Sequence, residues 1–198
     1  MPHNEASSEE KEKYKIGLFW DIYSQIAIIR DFYYKEFDVE TDDIDYNLSK
    51  DIPLTLEDGE NVLVYFYSSS KFNIEIMKKL ENIIIVIDFD KNGMTGNVMR
   101  CIDELKKDED YFKKLSLIIF GYAKKDWYML PEDIINYANK SNIKYFKVNK
   151  VAGSNLKEGL IYIVKLAKEK RNENKKISNE NQQDKIKKKI VVVSFINL

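Results

Sequence analysis

The segment KYKIGLFWDIYSQIAIIRDF, residues 13–32, joins a strand pattern to a helix pattern. A strand that runs into a helix is the frame of a phosphate-binding loop. The chemistry of such a loop requires G-x-x-x-x-G-K-[ST]. The glycines let backbone N–H groups close around the phosphates, the lysine neutralises them and the hydroxyl binds Mg²⁺. Residues 21–27, DIYSQIA, contain neither glycine nor lysine. The acids Asp42, Asp43 and Asp45 follow, and they would repel phosphate unless a metal intervened. Nowhere does the chain pair carboxylates, or a histidine with a serine or cysteine, in a catalytic pattern. Its one histidine, His3, stands in a polar N-terminal stretch. Its one cysteine, Cys101, excludes an internal disulfide framework and a cysteine zinc site. No catalytic residue, cofactor or metal is therefore expected.

The elements around this frame follow from periodicity. Residues 14–20 form a strand, and Ile26, Ile29 and Tyr33 recur at helical spacing after Ser24, a plausible N-cap. Two strands flank Glu57-Asp58-Gly59-Glu60 as a hairpin, and Pro53 puts the first of them at a sheet edge. A short helix is expected over 72–80. NIIIVIDFD reads as a strand buried on both faces, as in the centre of a parallel sheet. TGNVMRCIDELKK is an amphipathic helix, with Cys101 facing the core and inert. LSLIIFG is a second buried strand, and a helix begins at Pro131. IKYFKVN is the last strand and NLKEGLIYIVKLAKEK the last helix. Alternating strands and helices give an α/β fold with a mostly parallel six-stranded sheet, one antiparallel edge strand and helices on both faces.

The boundaries follow from composition. Residues 1–13 are polar and read as disordered. Residues 14–170 form the domain. Residues 171–198 are a charged linker or helix extension ending in the apolar IVVVSFINL. Of the 198 residues, 44% are hydrophobic and 33% charged, enough for a core. The net charge of -1 gives no basic field for nucleic acid. No apolar run nears the ~20 residues of a membrane span. Neither a secretory leader nor a lipidation signal is visible, the second residue being Pro2. The expected location is intracellular, in the cytoplasm, without a stable membrane anchor.

Four segments in order carry a family resemblance: residues 15–38, LEDGENVLVYFYSSSKF, IIIVIDFD with VMRCIDELKK, and IKYFKVNKVAGSNLKEGLIYIVKLAKE. Over about 14–170 the chain resembles the Ras-like small GTPases, the Rab branch most. The resemblance implies a three-layer sandwich with a guanine nucleotide at the first strand-to-helix turn. It also shows what is missing. Trp20 and Gln25 stand at the two loop glycines, Ile26 at the lysine and Ala27 at the hydroxyl. Asp21 is present, but the family's aspartate there does not bind phosphate. Tyr67 and Ser70 replace the aspartate and glycine of D-x-x-G. Thr41 is not where the switch threonine falls. Of the base-reading motif, Ala123, Lys124, Lys125 and Asp126 remain, with Asp126 able to accept hydrogen bonds from a guanine edge. The serine-alanine-lysine loop has become Asn149-Lys150-Val151. Trp20, Tyr23 and Tyr67 stand where they could fill the vacated pocket, and Trp20 could equally pack under a helix end.

The expected function is that of a catalytically inactive, pseudo-GTPase interaction or scaffold subunit with protein partners. Trp127, Tyr128, Met129 and Leu130 are the candidate contacts, since aromatic residues and Met are enriched at interfaces. The alternative is a divergent Rab-type GTPase with residual GTP or GDP binding in vesicle transport.

Overall fold

The computed structural model describes residues 12–20, 52–69, 72–89, 95–123, 132–149 and 155–196. The strands are β1 (Lys13–Trp20), β2 (Ile52–Thr55), β3 (Asn61–Ser69), β4 (Asn82–Asp88), β5 (Ser116–Ala123) and β6 (Lys144–Asn149). The helices are α1 (Ile74–Met77), α2 (Thr95–Lys106), α3 (Glu109–Lys114), α4 (Glu132–Lys140) and α5 (Leu156–Ile196). The strands form one sheet in the order β2-β3-β1-β4-β5-β6. Only the β2–β3 pairing is antiparallel, and β2 is the edge strand, as Pro53 predicts. The fold is α/β with a mostly parallel six-stranded sheet.

The β2–β3 hairpin turns where its sequence predicts. Gly59 adopts φ 84°, a left-handed conformation that glycine takes without strain. Leu56 and Glu60 close the turn with an N–H···O bond of 2.8 Å, and Asp58 accepts from the Glu60 N–H at 3.1 Å.

Strand alternation builds two cores. On one side Tyr14, Ile16 and Leu18 of β1, Ile84 and Val86 of β4, and Ile118 and Phe120 of β5 pack with α5. The α5 contribution is Leu156, Leu160, Ile163, Val164 and Ala167, an apolar stripe at helical spacing. On the other side Phe19, Ile83, Ile85, Ile87, Leu117 and Ile119 meet Met77 of α1, Val98, Cys101, Ile102 and Leu105 of α2, and Ile134 and Ala138 of α4. All of Ile83–Ile87 are buried, so the apolar run of β4 serves both cores. Each such side chain contributes about 1.5–3 kcal/mol of transfer free energy.

Two elements differ from expectation, and a third takes one of the two forms expected of it. The helix expected over 72–80 is a single turn, Ile74–Met77, capped by Asn73 Oδ1 accepting from the Ile76 N–H at 3.2 Å. Helix α3 was not anticipated; its N-cap is Asp108, whose carboxylate accepts from the Tyr111 N–H at 3.2 Å. Of the two forms expected of the charged stretch from Arg171, linker or helix extension, it takes the second: it continues α5, and the helix reaches 41 residues. Neither glycine nor proline occurs after Gly159 to stop it. At 1.5 Å per residue it is about 60 Å long. The helix predicted after β1 lies outside the described residues, as does Pro131.

Candidate functional site

In an open parallel sheet, ligands bind beyond the carboxyl ends of the strands, at the point where the strand order reverses. Here that point is β1, which lies between β3 and β4. The carboxyl edge is made by the ends of five parallel strands: Trp20, Ser69, Asp88, Ala123 and Asn149. In register, Trp20 stands beside Val86, and Ser69 beside Phe19. The last residue of β1, Trp20, thus stands at the position where a ligand would be held.

The connections leaving this edge lie outside the described residues. They carry Asp21, Tyr23, Gln25, Ile26, Ala27, Thr41, Asp42, Asp43, Asp45, Ser70, Asp126 and the partner-contact candidates Trp127, Tyr128, Met129 and Leu130.

Tyr67 is described, and its ring packs on the sheet face. It pairs with Gly17, three residues short of the end of β1. Its ring is tilted 48° against that of Phe19, with centroids 6.3 Å apart. The Lys15 ammonium lies 5.8 Å from the ring centroid. Both contacts hold the ring along the sheet face, within the core shared with α1 and α2. The reason is register: a residue two positions before the end of β3 packs over its strand neighbours, not past the edge.

Two strand glycines mark close approaches on the same face. A Cβ on Gly17 would meet Leu80 Cδ1 at 2.4 Å. A Cβ on Gly121 would lie 1.6 Å from Tyr145 Oη and 2.6 Å from Phe89 Cε2. Tyr145 therefore lays its hydroxyl across the backbone of β5. That hydroxyl is buried without a hydrogen-bond partner among the described residues, and burial raises its pKa. Glycine within a strand is the sequence signal for such an approach.

Cys101 is buried in α2 with its Sγ 3.5 Å from Met77 Sδ, and burial pushes its thiol up to about 12. It is a core residue without a nucleophilic role. Among the described residues no cluster of His, Cys, Asp and Glu is built to hold a metal ion. Among them, too, no helix is long and apolar enough to cross a membrane.

No protein-family model matches the chain, and no curated protein matches it either.

Proposed function

We propose that the chain is a pseudo-GTPase: a Ras-like, Rab-type three-layer sandwich that has lost nucleotide chemistry and works as an interaction or scaffold subunit of an intracellular complex. One observation carries the reading. The strand order reverses at β1, and the residues that follow, DIYSQIA, contain neither the glycines nor the lysine of a phosphate-binding loop. Further support comes from the two cores, with α5 on one face of the sheet and α1, α2 and α4 on the other.

The loss is chemical, not a matter of fold. Micromolar affinity corresponds to about 8 kcal/mol. In a working site the lysine, the backbone cradle and Mg²⁺ supply much of that. Asp126 alone offers two acceptors to a guanine edge and nothing to a phosphate.

Calorimetric titration of the full chain with GTP and GDP in the presence of Mg²⁺ tests the reading. A flat titration is expected. A dissociation constant below about 10 μM, near -7 kcal/mol, overturns it in favour of a divergent GTPase. The partner surface is tested separately by capture from native extract. Trp127→Ala with Tyr128→Ala is expected to release the partners retained by the unaltered chain. Full retention removes Trp127–Leu130 as the contact.

A further inference from the structure

The amino-terminal edge of the sheet, opposite the site above, holds a second concentration of chemistry. There β4 and β5 begin side by side, with Asn82 paired to Ser116. Both are buried, at 3% and 1% exposure. Strand alternation turns them toward α5, since Ile84 and Ile118, two residues on, share a core with Ala167. Asn82 is satisfied, its Nδ2 donating to the Lys15 carbonyl at 3.0 Å. Ser116 Oγ has no hydrogen-bond partner among the described residues. A hydroxyl left so costs about 1–3 kcal/mol.

Ser116 lines a cleft of about 300 Å³ between the turn after α1, the end of α3 and α5. Five cations line it as well, Lys78, Lys79, Lys114, Lys170 and Arg171, against the single carboxylate of Glu81. This is a local excess of positive charge in a chain of net charge -1. Two of the cations are held in place. Arg171 lies 4.6 Å over the Tyr14 ring and bridges Glu12 at 3.2 Å and Glu81 at 3.7 Å. Lys78 pairs with Asp108 at 3.2 Å. Lys170 is half-buried and donates to the Leu115 carbonyl, and its burial lowers its pKa. Lys79 and Lys114 are exposed.

A half-buried ammonium and an unpaired buried hydroxyl in one cationic cleft both call for an acceptor of negative charge. A carboxylate presents two oxygens in one plane. A phosphate presents three, in a pyramid, and suits donors arriving from different elements. We propose that this cleft binds a phosphate group, with Lys79, Lys114 and Lys170 neutralising it and Ser116 Oγ donating to one of its oxygens. The volume admits a phosphorylated small molecule or a phosphorylated lipid headgroup, which share this chemistry.

The test uses the full chain and two probes. Inorganic phosphate is titrated against chloride at equal ionic strength, with the amide resonances of Asn82 and Ser116 as the readout. Sedimentation is measured with phosphatidylcholine vesicles with and without phosphatidylinositol monophosphate. Phosphate is expected to shift both resonances saturably where chloride does not. Lys79→Ser with Lys114→Ser, at exposed positions that folding does not require, is expected to weaken binding at least about tenfold. Ser116→Ala is expected to weaken it about fivefold, while the ligand-free protein stays as stable or gains. Sedimentation that depends on the phosphorylated lipid and is lost in the lysine variant identifies a headgroup as the source. Phosphate binding without sedimentation identifies a free ligand. The proposal is overturned if neither probe binds, or if binding is unchanged in both the lysine variant and Ser116→Ala. Neither probe is a guanine nucleotide and the cleft is at the other edge, so the outcome is independent of the pseudo-GTPase reading.

Discussion

Gly159 of α5 lies against the Phe120 ring of β5 so closely that a Cβ there would be 2.2 Å from Phe120 Cε1. Phe120, fully buried, in turn makes an edge-to-face contact with Phe146 at 5.9 Å, which restricts the movement of its ring. The absent side chain sets how near α5 approaches the sheet. In a solvent-exposed helix, Gly→Ala stabilises by about 1 kcal/mol through helix propensity. Here overpacking opposes it by about 1–3 kcal/mol. Gly159→Ala is expected to lower stability, by up to about 2 kcal/mol, in denaturant titration. A gain would mean that α5 can lift off the sheet without loss.

Tyr145→Phe removes a buried hydroxyl that has no partner among the described residues, and leaves the ring over Gly121. The expected result is no loss of stability, with a gain of up to about 1 kcal/mol. A loss of that size would reveal a hydrogen bond to the Tyr145 hydroxyl.

Cys101 is expected to resist thiol reagents in the native protein. Its thiol is pushed up to about 12 by burial, so the reactive thiolate is scarce at neutral pH. Labelling by a disulfide reagent should follow unfolding as denaturant is added. Rapid labelling without denaturant would place the side chain outside the core.

Asp108 ties its titration to the start of α3. The Tyr111 N–H, and then the Lys78 ammonium, hold its carboxyl below the ordinary carboxylate value. A depressed folded-state pKa contributes stability above the unfolded value, about 3.9, and this is lost as pH falls through the folded value. Asp108→Asn keeps an N-cap acceptor but does not titrate. The advantage of the unaltered protein over this variant should shrink between neutral pH and about pH 3. Thermal melts at the two ends of that range measure it. An advantage that is constant across the range would remove the charge effect.

What the sequence determined by itself was whatever is encoded within one element or one turn. NIIIVID has no polar alternation, so β4 had to be covered on both sides. Pro53 cannot donate to a ladder, so β2 had to lie at an edge. Gly59 favoured the hairpin. The want of glycine and lysine after Trp20 was equally plain, because a phosphate loop is a local motif. Asp108 before Glu109–Lys114 is likewise a local N-cap signal. The length of α5 was undecided in the sequence, because its charged stretch has no apolar face, and a helix without one is weakly specified by pattern alone. Other features were decided only by tertiary structure. Tyr67 was read from its motif position, but its register with Gly17 placed it on the sheet face. Lys78, Lys114 and Lys170 are far apart in the chain and meet at one edge because β4 and β5 are neighbours and α5 runs across both. Ser116 reads as the polar start of a strand. Only the cover of α5 makes it a buried hydroxyl without a partner among the described residues. Local periodicity fixes which face of an element is apolar, but the meeting of distant side chains depends on strand order and helix placement, which no single segment encodes.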